Sequence, residues 1–383
     1  MKRSFKWIAA ALPMFTAPAA LAEEAAPTQT LAPKTQAAVD AQMQQVLDAH
    51  KALNPKPLHT LEPKAARKGP SATDAVKAVM KKQGKPTEPD KTKLAKVDDT
   101  TLPGPAGDLP VRIYTPEGTG PFPVVVYYHG GGFVIADLDT YDAGPRALAQ
   151  QTGAVVVSVH YRQAPEHPFP AAAHDAAAAF RYIQQNAAKY NGDPKRVAVA
   201  GESAGGNLAT GVAMQQKKSG GPVPVFELLV YPFVSTDLNT PSHKANGQGN
   251  FLVSNQDLGW FWQNYLGQDW QKNKDPLAVP LQATPAQLKG LPPTMIITAG
   301  LDPLKDEGAA YAKKLQAAGV KTELKNYDGV THEFFGMASV VDTSKRAQAD
   351  AARALKGAFQ DSGIGGSGDA PPERGDTGIK QTP

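Results

Sequence analysis

The chain contains no cysteine among its 383 residues. That excludes disulfides, a thiol nucleophile, thiolate metal sites and lipid attachment at a cysteine. An excess of one charge is also missing: 40 Lys and Arg face 36 Asp and Glu, a formal +4. Three of those charges are Lys2, Arg3 and Lys6 in the leader described below, and without them about +1 of the +4 remains. So slight a balance gives no electrostatic footprint for nucleic acid. The glycine clusters Gly130–Gly132 and Gly201–Gly206 lack the G-x-G-x-x-G spacing, so a dinucleotide site is unsupported. What is present is a composition 41% hydrophobic and 20% charged, enough to bury one large α/β core or two ordinary ones.

The first residues read as an address. A basic start is followed by the apolar run Trp7 to Leu21, which is short for a membrane anchor and broken by Pro13 and Pro18. Ala20-Leu21-Ala22 then makes a small-x-small cleavage site. The expectation is a signal peptide over 1–22, a mature start near Glu23, no membrane span in the mature chain, and a periplasmic or secreted protein. Residues 23–34 are a linker of Ala, Pro, Thr and Gln. Apolar spacing predicts two amphipathic helices, 35–53 and Ser71 to Gln83. Neither can bury its face alone, so the region 35–92 is expected to cover a larger body as a helical cap.

That body runs over 93–360. A strand pair (94–101 and 109–114) is followed by strands and helices in alternation. The strands fall at 124–128, 154–159, 197–200, 226–230, 294–298 and 322–327; the helices at 144–152, 171–189, 258–265, 307–318 and 343–359. Alternation predicts an α/β fold with a mostly parallel central sheet flanked by helices, its ligands at the C-terminal strand ends. Residues 239–254, polar and glycine-rich, read as a mobile loop, and the tail 361–383 as disordered.

Every motif that could carry chemistry lies at those strand ends. The run Val197 to Ala200 breaks into Gly201-Glu202-Ser203-Ala204-Gly205 before an alanine-rich helix. Strand, tight turn and helix around G-x-S-x-G is the context of a nucleophile elbow, with Ser203 at the bend. Taken alone, an ordinary glycine-rich loop fits equally well. A serine hydroxyl needs a general base and an acid to orient it. His332 follows the last strand, and Asp302 ends the strand before it, with Asp306 a helical turn further as second choice. Singly, His332 could be a surface histidine and Asp302 a helix cap; the order Ser, Asp, His beside an elbow favours a triad. Negative charge on an acyl oxygen would need backbone donors, for which Ala204, Gly130 and Gly131 are the candidates. His129 reads as an anchor of its turn, and Asp137, Asp139, Glu166, His174 and Asp175 as turn, cap or ion-pair residues.

Together, His129-Gly130-Gly131-Gly132-Phe133, Tyr161-Arg162-x-Ala164-Pro165-Glu166, Gly201-Glu202-Ser203-Ala204-Gly205-Gly206 and Asp302-Pro303-Leu304-x-Asp306-Glu307 resemble the hormone-sensitive-lipase-like family of α/β-hydrolases. The resemblance covers roughly Lys93 to Phe359. It implies the α/β-hydrolase fold with an N-terminal helical cap, and hydrolysis of short- to medium-chain carboxylic esters through an acyl-enzyme, with no metal or organic cofactor. It also implies that Phe133, Trp260 and Trp262 border the substrate. Glu202 stands where the family more usually has Asp, and Glu333 where Gly is frequent, which bears on the acyl pocket. An amide, lactone or carbamate substrate, or a binding protein on a retired hydrolase scaffold, are the other readings of the same motifs. The partner is a small-molecule ester, and the oligomeric state is left open, a homodimer included.

Overall fold

The structure is a computed structural model that describes residues 38–364. The leader 1–22, the linker 23–34 and all but the first residues of the expected tail lie outside the described residues.

Eight strands form one sheet: β1 (Lys96–Gly104), β2 (Gly107–Thr115), β3 (Phe122–Tyr128), β4 (Val155–Val159), β5 (Gly192–Glu202), β6 (Glu227–Val230), β7 (Thr294–Ala299) and β8 (Thr322–Tyr327). Their order is β1-β2-β4-β3-β5-β6-β7-β8. The hairpin β1–β2 and the pair β2–β4 are antiparallel, and all pairs beyond are parallel. In the centre Val126 lies opposite Val199, and Tyr128 opposite Gly201.

A parallel sheet covered on both faces needs strands that are apolar at every position. Strand β3 shows why: Val124, Val126 and Tyr128 enter the core on one face, Val125 and Tyr127 the core on the other. The helices are α1 (Ala41–Ala52), α2 (Pro63–Ala66), α3 (Ala72–Lys82), α4 (Ala143–Thr152), α5 (Ala171–Asn186), α6 (Ala204–Ser219), α7 (Pro241–Asn246), α8 (Asn255–Leu266), α9 (Pro285–Leu288), α10 (Lys305–Ala317) and α11 (Asp342–Ile364). Residues of α5, α6, α8 and α10 fill the first core; those of α1, α3, α4 and α11 fill the second. Among the described residues no helix is long and apolar enough to cross a membrane.

The two N-terminal helices find their partners here. Met43 and Val46 of α1 meet Ala75, Val76 and Val79 of α3 in the second core. The start of α1 is fixed by Asp40, whose carboxylate caps it and whose amide donates to Gly329 O at 2.8 Å. Helix α3 opens with a capping box between Ser71 and Asp74.

Three expectations change. The first helix begins at Ala41 rather than 35, because Asp40 supplies the cap. Residues 239–254 are not one open loop: Thr240 caps α7, where Ser242 and His243 are buried and Ser242 Oγ donates to Pro303 O at 2.6 Å. The last helix continues through Gly363 to Ile364.

Candidate active site

The bend after β5 is dictated by contacts a side chain would forbid. A Cβ on Gly201 would lie 2.1 Å from Gly205 O, and one on Gly205 would lie 1.9 Å from Tyr128 O. Between them Ser203 adopts φ +56 and ψ −118, a conformation that costs on the order of 1–3 kcal/mol outside glycine. Its neighbours over-determine it: Ser203 N donates to Val230 O at 2.9 Å, and Ser203 O accepts from Phe233 N at 3.1 Å. The hydroxyl is thereby held at the C-terminal end of the sheet, on the wall of a cleft of ≈ 1550 Å³.

Two other strand ends deliver their residues to the same point. His332 Nε2 lies 3.0 Å from Ser203 Oγ. Its Nδ1 lies 2.7 Å from Asp302 Oδ2. The second oxygen of Asp302 accepts Leu304 N at 2.8 Å, so the carboxylate cannot rotate freely. The loops carrying acid and imidazole are joined by Leu301 N donating to Val330 O at 3.0 Å, and Gly300 N to Tyr327 O at 2.7 Å. With Asp302 as acceptor, Nδ1 carries the proton and the lone pair of Nε2 faces the serine. Asp306, the second choice for the acid, instead accepts Ser242 N at 2.8 Å and stays with α7.

The imidazole feels opposing forces. Burial disfavours its charged form and is the largest single influence. The charge and hydrogen bond of Asp302, with Glu333 and Glu202 behind them, outweigh it and raise the pKa of His332 above the ordinary value. Glu202 is fully enclosed, accepting hydrogen bonds from the hydroxyls of Tyr127 and Tyr231. Burial pushes its carboxyl up to about 7, against the pull of those two hydroxyls. Tyr231 also packs its ring 4.5 Å from that of His332. Sequence reasoning named Glu202 and Glu333 only as departures and overlooked Tyr127 and Tyr231, whose hydroxyls look like core aromatics in a one-dimensional pattern.

The glycine turn after β3 differs from expectation by one residue. Gly131 and Gly132 share the cleft wall with Ser203. Gly130 lies behind it, with its carbonyl accepting from His129 Nδ1 at 2.8 Å and Tyr161 Oη at 3.2 Å. Of the three loop glycines, Gly131 and Gly132 are therefore the two that border the cleft with the serine. Ala204, first residue of α6, leaves its N–H without an intrahelical acceptor. His129 anchors the turn: it is buried, stacked on Tyr161 at 4.5 Å, and depressed to about 3 by burial, so it stays neutral.

The expected substrate-bordering aromatics are corrected as well. Phe133 is fully buried and stacks on Tyr265 at 3.9 Å. Trp262 is fully buried, packs on Phe233 at 4.1 Å and donates its Nε1–H to Ser235 O at 3.1 Å. Trp260 is half-buried against the core, and none of the three lines the cleft. With no exposed surface and its ring packed against Phe133 and Phe233, Trp262 leaves no face for a ligand. Apolar residues that do line the cleft include Phe233, Phe261, Leu258, Val253 and Ile135, together with residues of α1, α3 and the chain between them.

Among the described residues no group of three or more His, Asp or Glu is arranged to hold a metal ion.

A family described as alpha/beta hydrolase fold matches residues 125–336. The carboxylesterase NlhH of Mycobacterium tuberculosis is 45% identical over 258 residues, 66% of this chain and 79% of that protein. The carboxylic ester hydrolase LipN of the same organism is 43% identical over 246 residues, 63% of this chain, which spans 65% of LipN's length. The ethyl acetate hydrolase of Pseudomonas putida is 36% identical over 292 residues, 75% of this chain and 87% of that one. Among solved structures, a hyperthermophilic esterase from Pyrobaculum calidifontis aligns with a TM-score of 0.75 at 34% identity, covering 84% of this chain and 98% of the other.

Proposed function

This chain belongs to the hormone-sensitive-lipase-like family of α/β-hydrolases, and we propose that it is a carboxylic ester hydrolase working through a serine acyl-enzyme. The observation that carries the proposal is the continuous hydrogen-bonded line from Asp302 through His332 to Ser203, ending in the cleft. Ser203 Oγ attacks the ester carbonyl carbon while His332 Nε2 takes its proton. Asp302 holds the imidazole in the accepting tautomer and balances the imidazolium that forms. The carbonyl oxygen becomes an alkoxide facing the amides of Ala204, Gly131 and Gly132. Each such donor is worth on the order of 10²–10³ in turnover. Collapse breaks the C–O bond, and Nε2–H returns the proton to the departing alcohol. Water then repeats the sequence on the acyl-enzyme, releasing the acid and restoring Ser203.

Short to medium acyl chains suit a cleft whose apolar lining includes Phe233, Phe261 and Leu258. Hydrolysis of chromogenic esters from acetyl to palmitoyl, with Ser203→Ala as control, tests the proposal. Activity peaking among the shorter chains and absent in the variant supports it. Silence on esters with turnover of matched amides or lactones replaces it.

The basic start, apolar run and Ala20-Leu21-Ala22 support export to the periplasm or beyond. Mass analysis of the protein recovered from a periplasmic fraction checks this: a mature start at Glu23 agrees, and an intact Met1 in the cytoplasm contradicts.

A further inference from the structure

One carboxyl group on the cleft wall stands beside the imidazole without transferring a proton or touching the reacting atoms in the acyl-transfer steps. Glu333, directly after the imidazole, lines the same cleft as Ser203. Its Oε1 lies 4.0 Å from His332 Nε2. Its backbone sits at φ +72, in the left-handed region where glycine would rest without strain and glutamate does not. Tyr141 Oη donates to Oε1 at 2.5 Å, which fixes the carboxyl in place. Among the described residues this is the one hydrogen bond the Glu333 side chain makes, and a quarter of that side chain remains open. A strained backbone thus presents a clamped acceptor with lone pairs to spare.

Position decides what that acceptor meets. In the reaction proposed above, Nε2 is the atom that hands a proton to the departing alcohol. A group 4.0 Å from Nε2 on the cleft wall therefore stands beside the alcohol half of the ester, not the acyl half. A hydroxyl two carbons beyond the ester oxygen spans that gap. We propose that Glu333 is a specificity-determining residue that accepts a hydrogen bond from a hydroxyl on the alcohol portion, so that this enzyme prefers esters of vicinal diols and polyols over simple alkyl esters. The inference rests on the acyl-enzyme reading. It adds what that reading leaves open, which half of the substrate is recognised by polarity. Burial, the largest influence, raises the Glu333 carboxyl above its usual range, and a partly buried acceptor gains more from a donor than a fully exposed one does.

The test is the ratio of kcat/KM for 2-hydroxyethyl acetate to that for propyl acetate, which match in heavy atoms. Wild type should favour the hydroxyethyl ester about ten-fold, the worth of one hydrogen bond to a charged group. Glu333→Gly should bring the ratio to about one, while Glu333→Gln, which keeps an acceptor oxygen, should retain part of the preference. Folding of the glycine variant is not at risk, because φ +72 suits glycine; a thermal melt confirms it. An equal ratio in wild type and Glu333→Gly overturns the inference. So does a stronger preference for 2-(trimethylammonio)ethyl acetate, which has a charge but no donor, if Glu333→Gly abolishes it. p-Nitrophenyl acetate, which offers no hydroxyl, separates the two levels: failure of wild type to hydrolyse it removes the acyl-enzyme reading itself, and the inference with it.

Discussion

The floor of the cleft and its roof are built by opposite means. On the floor, Ser203, Asp302 and His332 each follow a β-strand, and backbone hydrogen bonds between neighbouring loops leave them little freedom. The roof, from α1 to α3, is fastened mainly through side chains. Arg67 is its clasp: Nε donates to Val134 O at 2.7 Å, Nη2 to Ala164 O at 2.9 Å, and the guanidinium grips Glu166 with both terminal nitrogens. That grip holds the half-exposed Glu166 carboxyl down to about 2. Thr73 Oγ1 adds a bond to Thr140 O at 2.7 Å. The lesson is that chemistry sits where the backbone itself forbids movement, and coverage sits where single side chains decide. Changes to the floor should abolish turnover. Changes to the roof should shift affinity and stability.

The largest effect tests the floor. Ser203→Ala should lower kcat by about 10⁶ while circular dichroism stays native; retained hydrolysis would break the distinction at its root. Asp302→Asn comes next, because the amide donates where the carboxylate accepted and stabilises the wrong tautomer. A loss of about 10⁴ in kcat is expected, and a loss below ten-fold would show that another group orients His332.

A pH profile sharpens the comparison from within the floor. The imidazole must be neutral to accept the serine proton, so the rate falls on the acid side as pH drops through its raised pKa. Glu333 is one of the carboxylates that raise it. Glu333→Gln should therefore move the acid limb of kcat/KM for p-nitrophenyl acetate to lower pH, and a shift to higher pH would contradict the assignment. The same elevation links to stability with a fixed sign. The contribution of His332 is fully present below its unfolded-state pKa and is lost as pH rises through the folded one.

The smallest effect belongs to the roof. Arg67→Ala should leave kcat on a small acetate nearly unchanged, raise KM a few-fold, and cost on the order of 1 kcal/mol. Part of that clasp is solvent-screened. A collapse of kcat instead would mean that the roof helps to place the floor.

Legibility in the sequence divides along the same line. The elbow was readable because its cause is local: Gly201 and Gly205 are forced by atoms within a few positions or on the adjacent strand. Asp302 and His332 were readable because strand order carries them to one edge. The sheet itself followed from apolar runs such as Val124 to Tyr128. The register of the glycine turn was not readable, since three adjacent glycines look alike until Tyr161 shows which carbonyl faces inward. Nor were the wall residues. Phe133 and Phe233 follow strands while Phe261 and Trp262 share a helix, and only tertiary packing sorts lining from filling. The Arg67 clasp joins residues 99 positions apart and left no pattern to find.

The most direct test of the central claim is the mass of the protein after reaction with a p-nitrophenyl alkylphosphonate, followed by peptide mapping. The account predicts one phosphonyl group per chain, located on Ser203, with ester hydrolysis lost in proportion to labelling and no adduct on Ser203→Ala. Full hydrolytic activity in labelled protein, or an adduct that maps elsewhere while hydrolysis disappears, would contradict it.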